Sequence, residues 1–184
     1  MNYDQSTAQR TAGITLIIIS ALFIIAHALI AVRANLNYER TYSQLWSLAD
    51  KSSTIPAKER YIAQFVEALK AGYVRGDFAT HNAIFLQTPD NSFSSNLEAV
   101  ETLTQRLKEI QEMDPKTFEY NTAIQQITAQ EQGQAHSLLR VMEGCYCLKS
   151  YMLVWSWIGL IAALAEVTSI VIGIALLLDY YDVL

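Results

Sequence analysis

The chain has 184 residues, 52% of them apolar and 17% charged, with a formal net charge of −5. That charge offers a phosphate backbone nothing to bind, so no nucleic-acid partner is expected. Three prolines and seven glycines suit long helices and argue against a sheet-rich domain. With two apolar spans set aside, roughly 120 residues remain, enough for one helical domain.

Residues 1–12 form a short polar tail. From Gly13 to Val32 no residue is charged, and a run of about 20 apolar residues is long enough to cross a bilayer. It is longer than a signal-peptide core and lacks a small-x-small cleavage site, so 13–33 reads as a retained transmembrane helix. Three-four spacing continues through Ala28, Ala31, Asn35, Tyr38, Tyr42, Leu45 and Ala49, which extends the first helix to Asp50. After a turn at 51–54, Ser53 or Thr54 is a candidate cap for a helix with Pro56 in its first turn. Ile62, Phe65, Leu69 and Tyr73 form its apolar stripe. Asp77–Leu86 reads as a short helical piece and Gln87–Ser92 as a loop. Ser94, Ser95 or Asn96 can cap the next helix, striped by Leu97, Val100, Leu103, Leu107, Ile110 and Met113. Asp114 and Pro115 read as a stop followed by a restart, aspartate as cap and proline at the first helical position.

From Pro115 one helix is expected to run to Leu178. A heptad path starts at Ile124 and Ile127 and continues for about seven repeats. Its first half is mainly large and apolar, with a polar layer at Glu131 and Gln134. Within the apolar run 150–178, the second span, the same path becomes small and polar: Gly159, Ala162, Glu166, Ser169, Gly173. Apolar burial drives association in water. In lipid that drive is absent, and small residues let backbones approach. The seam reads either as the buried face of a bundle helix or as an oligomerisation surface.

The expected fold is all-α: two transmembrane helices flank an antiparallel helical bundle (34–149) whose first and last helices are continuous with the spans, and 179–184 is a tail. Tyr146, Tyr151, Trp155 and Trp157 mark one interface, Tyr180 and Tyr181 the other. Arg33, Arg40, Arg140 and Lys149 outweigh Arg10 on the outer tails. The positive-inside tendency therefore favours a cytoplasmic middle domain over a periplasmic one, in a bacterial inner membrane.

Glu166 and His27 are the candidate intramembrane polar residues. Counted at 1.5 Å per residue from Lys149 and Arg33, Glu166 lies roughly 25 Å deep and His27 roughly 9 Å, so the two are not expected to touch, and Thr15 and Ser20 are nearer the level of Glu166. One histidine with no second at its depth does not make a haem site. Cys145 and Cys147, with His136 upstream, match no closed zinc site, and on a helix the two thiols would face apart. No nucleophile, phosphate-loop or zincin motif is present. No catalytic residue, cofactor or metal is therefore expected. The leading expectation is a non-catalytic membrane subunit or scaffold whose partners are the bilayer and itself or other membrane subunits. The alternatives are an oligomeric ion or proton channel with Glu166 in its path, and a membrane-anchored bundle sensor without an output domain of its own.

Overall fold

The computed structural model describes residues 3–74, 76, 92–127, 142–145, 147–154 and 156–182. Its helices are α1 (Tyr3–Tyr38), α2 (Gln44–Asp50), α3 (Ile55–Gly72), α4 (Phe93–Gln111) and α5 (Trp157–Asp182). Residues 118–127 form a further helical run. The chain divides into two compact units, Met1–Arg33 with Ser156–Leu184, and Ala34–Trp155.

Helical backbone is unbroken from Tyr3 to Asp50, because a single π-helical turn, Glu39–Ser43, joins α1 to α2. A pure α-helix turns once per 3.6 residues. The wider turn keeps Tyr38, Tyr42 and Trp46, spaced by four, on one buried face. Trp46 is absent from the expected stripe for this reason.

Thr54 caps α3, its hydroxyl accepting from the Ala57 amide at 3.4 Å, and Pro56 sits in the first turn, where its missing N–H costs no helical bond. Ile62, Phe65 and Leu69 are buried as the spacing implies, together with Val66. Trp46 meets Phe65 edge-on at 5.3 Å. Tyr73 is half exposed and stacks on Phe93 at 5.0 Å. The pairs Lys70–Glu101 at 2.7 Å and Lys108–Glu59 at 3.8 Å show that α3 and α4 run antiparallel. The cap of α4 is Ser92, which accepts from the Ser95 amide at 3.3 Å. Ser94, Ser95 and Asn96 lie inside the first turn instead. Val100, Leu107 and Ile110 carry its buried face.

Asp114 closes a tight turn by accepting from the Lys116 amide at 3.0 Å. Thr117, not Asp114, caps the next helical run, accepting from the Tyr120 amide at 3.2 Å.

The single helix expected from Pro115 to Leu178 does not form. The backbone leaves helical geometry at Gly144, whose φ is 75°. That left-handed conformation ends helices and is open to glycine at no steric cost. A series of four-residue turns follows, with Leu148, Tyr151 and Val154 amides donating to Cys145, Leu148 and Tyr151 carbonyls at 3.0–3.1 Å. This segment is pinned to the end of α3 by a bridge between Tyr73 and Leu148, with Val74 N–H to the Cys147 carbonyl at 2.7 Å and Lys149 N–H to the Gly72 carbonyl at 2.8 Å. Helix resumes only at Trp157, where Ser156 accepts from the Gly159 amide at 3.3 Å. The heptad path is therefore cut between its two halves, and the apolar run is helical from 157 rather than from 150. The last helix of the second unit is not continuous with α5. Glu131, Gln134, His136 and residues 87–91 lie outside the described residues.

Candidate site between the two apolar helices

In the first unit several small and polar residues are among the less exposed positions, together with Leu16, Ile17, Leu176 and Leu177, and most of the large apolar residues are exposed. Along α1 the less exposed positions include Gly13, Ser20 and His27, seven residues apart. Along α5 they include Gly159, Ala162, Glu166, Ser169 and Gly173. Leu22, Phe23, Leu29, Ile158 and Ile161 are all more than 60% exposed. Both helices are long and apolar enough to cross a membrane.

The small-residue face expected on the second span closes on α1 of the same chain. A Cβ on Gly13 would stand 2.9 Å from the Gly173 carbonyl oxygen, and one on Gly173 would stand 2.8 Å from Ile17 Cγ1. Backbone meets backbone there, as small residues permit. Gln9 Nε2 donates to Asp179 Oδ2 at 3.2 Å, so the two helices run antiparallel and Ser20 lies level with Glu166.

His27 Nδ1 and Glu166 Oε1 are 3.5 Å apart, which overturns the expectation that these side chains do not meet. Part of the error is the start of α5: residues 149–156 turn instead of rising along the helix axis. The rest lies in side-chain direction. His27 is one heptad, about 10 Å, from the level of Glu166. Every helical Cα–Cβ bond tilts toward its own N-terminus. In an antiparallel pair His27 therefore leans toward the level of Ser20, and Glu166 leans back toward the level of His27. The two tilts add, and two long side chains close the gap.

A cleft of about 330 Å³ opens beside this pair. Leu16, Ile19 and Phe23 supply its wall from α1, and Ala162 and Ala165 its floor from α5. Its polar edge is Ser20, Glu166 and Ser169. The Ser169 hydroxyl is committed to the Ala165 carbonyl at 2.8 Å, so Glu166 is the group with a charge to offer a visitor.

The second unit has its own cluster of titratable groups. The ring of Tyr38 lies 5.4 Å from that of Tyr42 and 5.6 Å from that of Tyr151, and Tyr151 donates to Asn35 Oδ1 at 2.9 Å. Burial, then the nearby Glu143 carboxylate, pushes the Tyr151 phenol up to about 12, and the same causes raise Tyr38 further. Cys145 and Cys147 are buried side by side on turn residues, with the Cys147 amide donating to Cys145 Sγ at 3.2 Å. The expectation that a helix holds the two thiols apart fails with that helix. Burial raises the Cys145 thiol well above its ordinary value, so it resists becoming a thiolate. Among the described residues no group of three His, Cys, Asp or Glu side chains could hold a metal ion.

No protein-family model, curated protein or solved structure matches this chain.

Proposed function

We propose that the protein is a non-catalytic integral membrane subunit, anchored by a two-helix hairpin of α1 and α5 and carrying a helical bundle, residues 34–155, as its scaffold. The inside-out hairpin carries this reading. Its inward face holds glycine, serine, histidine and glutamate, and its outward face is leucine, isoleucine and phenylalanine. Water would reverse that arrangement; lipid tails favour it, since they solvate the apolar side chains and leave the polar ones to find each other. Positive charge at Arg33, Arg40, Arg140 and Lys149 favours a cytoplasmic location for the bundle, in a bacterial cell membrane.

The small-residue face is occupied within the chain, so assembly with other subunits falls to the outer apolar face and the bundle. Glu166 pairs with His27 of its own chain, which favours an anchoring hairpin over a ring of carboxylates around a channel. The test is extraction and native mass. The protein is expected in the membrane fraction, released by detergent and not by high salt or urea, at a mass above that of one chain or with co-purifying membrane proteins. Release without detergent overturns the anchor, and a lone monomer in mild detergent overturns the subunit.

A further inference from the structure

We propose that the cleft beside Glu166 is a binding site for a lipophilic organic cation, an ammonium or phosphonium with apolar substituents. The proposal rests on the membrane reading of α1 and α5. Size and chemistry select the ligand class. The cleft encloses about 330 Å³, and small-molecule sites run from about 300 Å³ upward, mostly apolar with a few placed polar groups. Its lining is apolar except for two hydroxyls and one carboxylate. A carboxylate repels anions. A hard metal ion would need more oxygen ligands than one carboxylate and one free hydroxyl provide. A cation wrapped in hydrocarbon needs only a counter-charge and apolar walls, which Glu166 and the side chains of Leu16, Ile19 and Phe23 supply.

Charge complementarity points the same way. Between Gly13 and Val32 there is no acidic side chain, and between Trp157 and Leu178 the sole one is Glu166. Arg10, Arg33 and Asp179 stand outside these stretches, toward the helix ends. Glu166 is therefore the one acidic group that either apolar stretch offers a cation, and in lipid such a group calls for a partner.

Tetraphenylphosphonium binding to the full chain, purified in mild detergent, is the test. Saturable binding is expected. Glu166→Gln should abolish it. Ala165→Leu, which fills the cleft and leaves the pair intact, should weaken binding at least tenfold without altering detergent extraction. Binding that is unchanged in Glu166→Gln is partition onto apolar surface and overturns the proposal. So does no saturable binding by protein that extracts from the membrane as expected, and that result leaves the membrane reading standing. Protein released without detergent removes the ground of both.

Discussion

Two glycines let the helices of the hairpin approach backbone to backbone. A leucine at 173 meets Ile17 and the Gly13 backbone, neither of which can yield without moving a helix. Overpacking of this kind costs about 1–3 kcal/mol. With cysteines placed at Gln9 and Asp179, whose side chains now touch, oxidative cross-linking should be efficient in the parent chain and fall several-fold in Gly173→Leu. An unchanged yield would mean that the helices do not meet at Gly13 and Gly173. The His27–Glu166 pair calls for a double-mutant cycle. Polar side-chain pairs between membrane helices couple by about 0.6 kcal/mol on average and up to about 1.7 kcal/mol. Glu166→Gln keeps a hydrogen-bonding group and should lower the melting temperature in detergent less than Glu166→Leu. The coupling measured with His27→Leu should lie within that range, and a value of zero would separate the two side chains.

At the scale of elements, the break between Gly144 and Ser156 decides how the chain is divided. Any residue with a Cβ at Gly144 must hold φ near 75°, which costs roughly 1–2 kcal/mol. Gly144→Ala should therefore destabilise the second unit by about that much in urea melts followed by tryptophan fluorescence, while a straight helix through 144 would be stabilised by the same change. The first helix was legible through Asp50 because its apolar run and its three-four stripe agree, and the inward face of α5 was legible because small residues replace large ones along it. The long helix from Pro115 was not. Its heptad path counts apolar positions and is blind to φ, although Gly144 and the Ser156-x-x-Gly159 cap were both visible as punctuation. The His27–Glu166 contact was hidden for a related reason: depth counted along a chain assumes an unbroken helix, and tilt toward the N-terminus is a property of a pair of antiparallel helices that neither sequence segment displays alone. The α4 cap moved to Ser92 because serines in a row offer several equivalent starts.

On the scale of the whole molecule, the second unit is the one built to answer alkaline pH. It buries Tyr38 and Tyr151 with their phenols raised above the ordinary value of 10.0, Tyr151 to about 12. The folded unit therefore holds phenol protons that the unfolded chain gives up at lower pH. By linkage, this contribution to stability is fully present below about pH 10 and is lost as pH rises toward and through the folded values. The second unit is expected to unfold cooperatively between about pH 10 and pH 12, with phenolate absorbance and loss of tryptophan signal rising together. Cys145 and Cys147, buried in the folded unit, supply an independent reporter: alkylation by a maleimide in pulses at pH 7 should be slow before an alkaline excursion and fast during recovery from one. Tyr151→Phe removes one of the raised phenols and should push the alkaline midpoint upward, even if its lost bond to Asn35 lowers stability at pH 7. A midpoint unmoved or lowered relative to the pH 7 stability of the same variant would show that Tyr151 ionisation does not drive the transition. The same transition dictates how the membrane reading is tested, since an alkaline carbonate wash would unfold the second unit while leaving the hairpin in place. Salt, urea below the unfolding transition and detergent separate anchoring from folding; high pH does not.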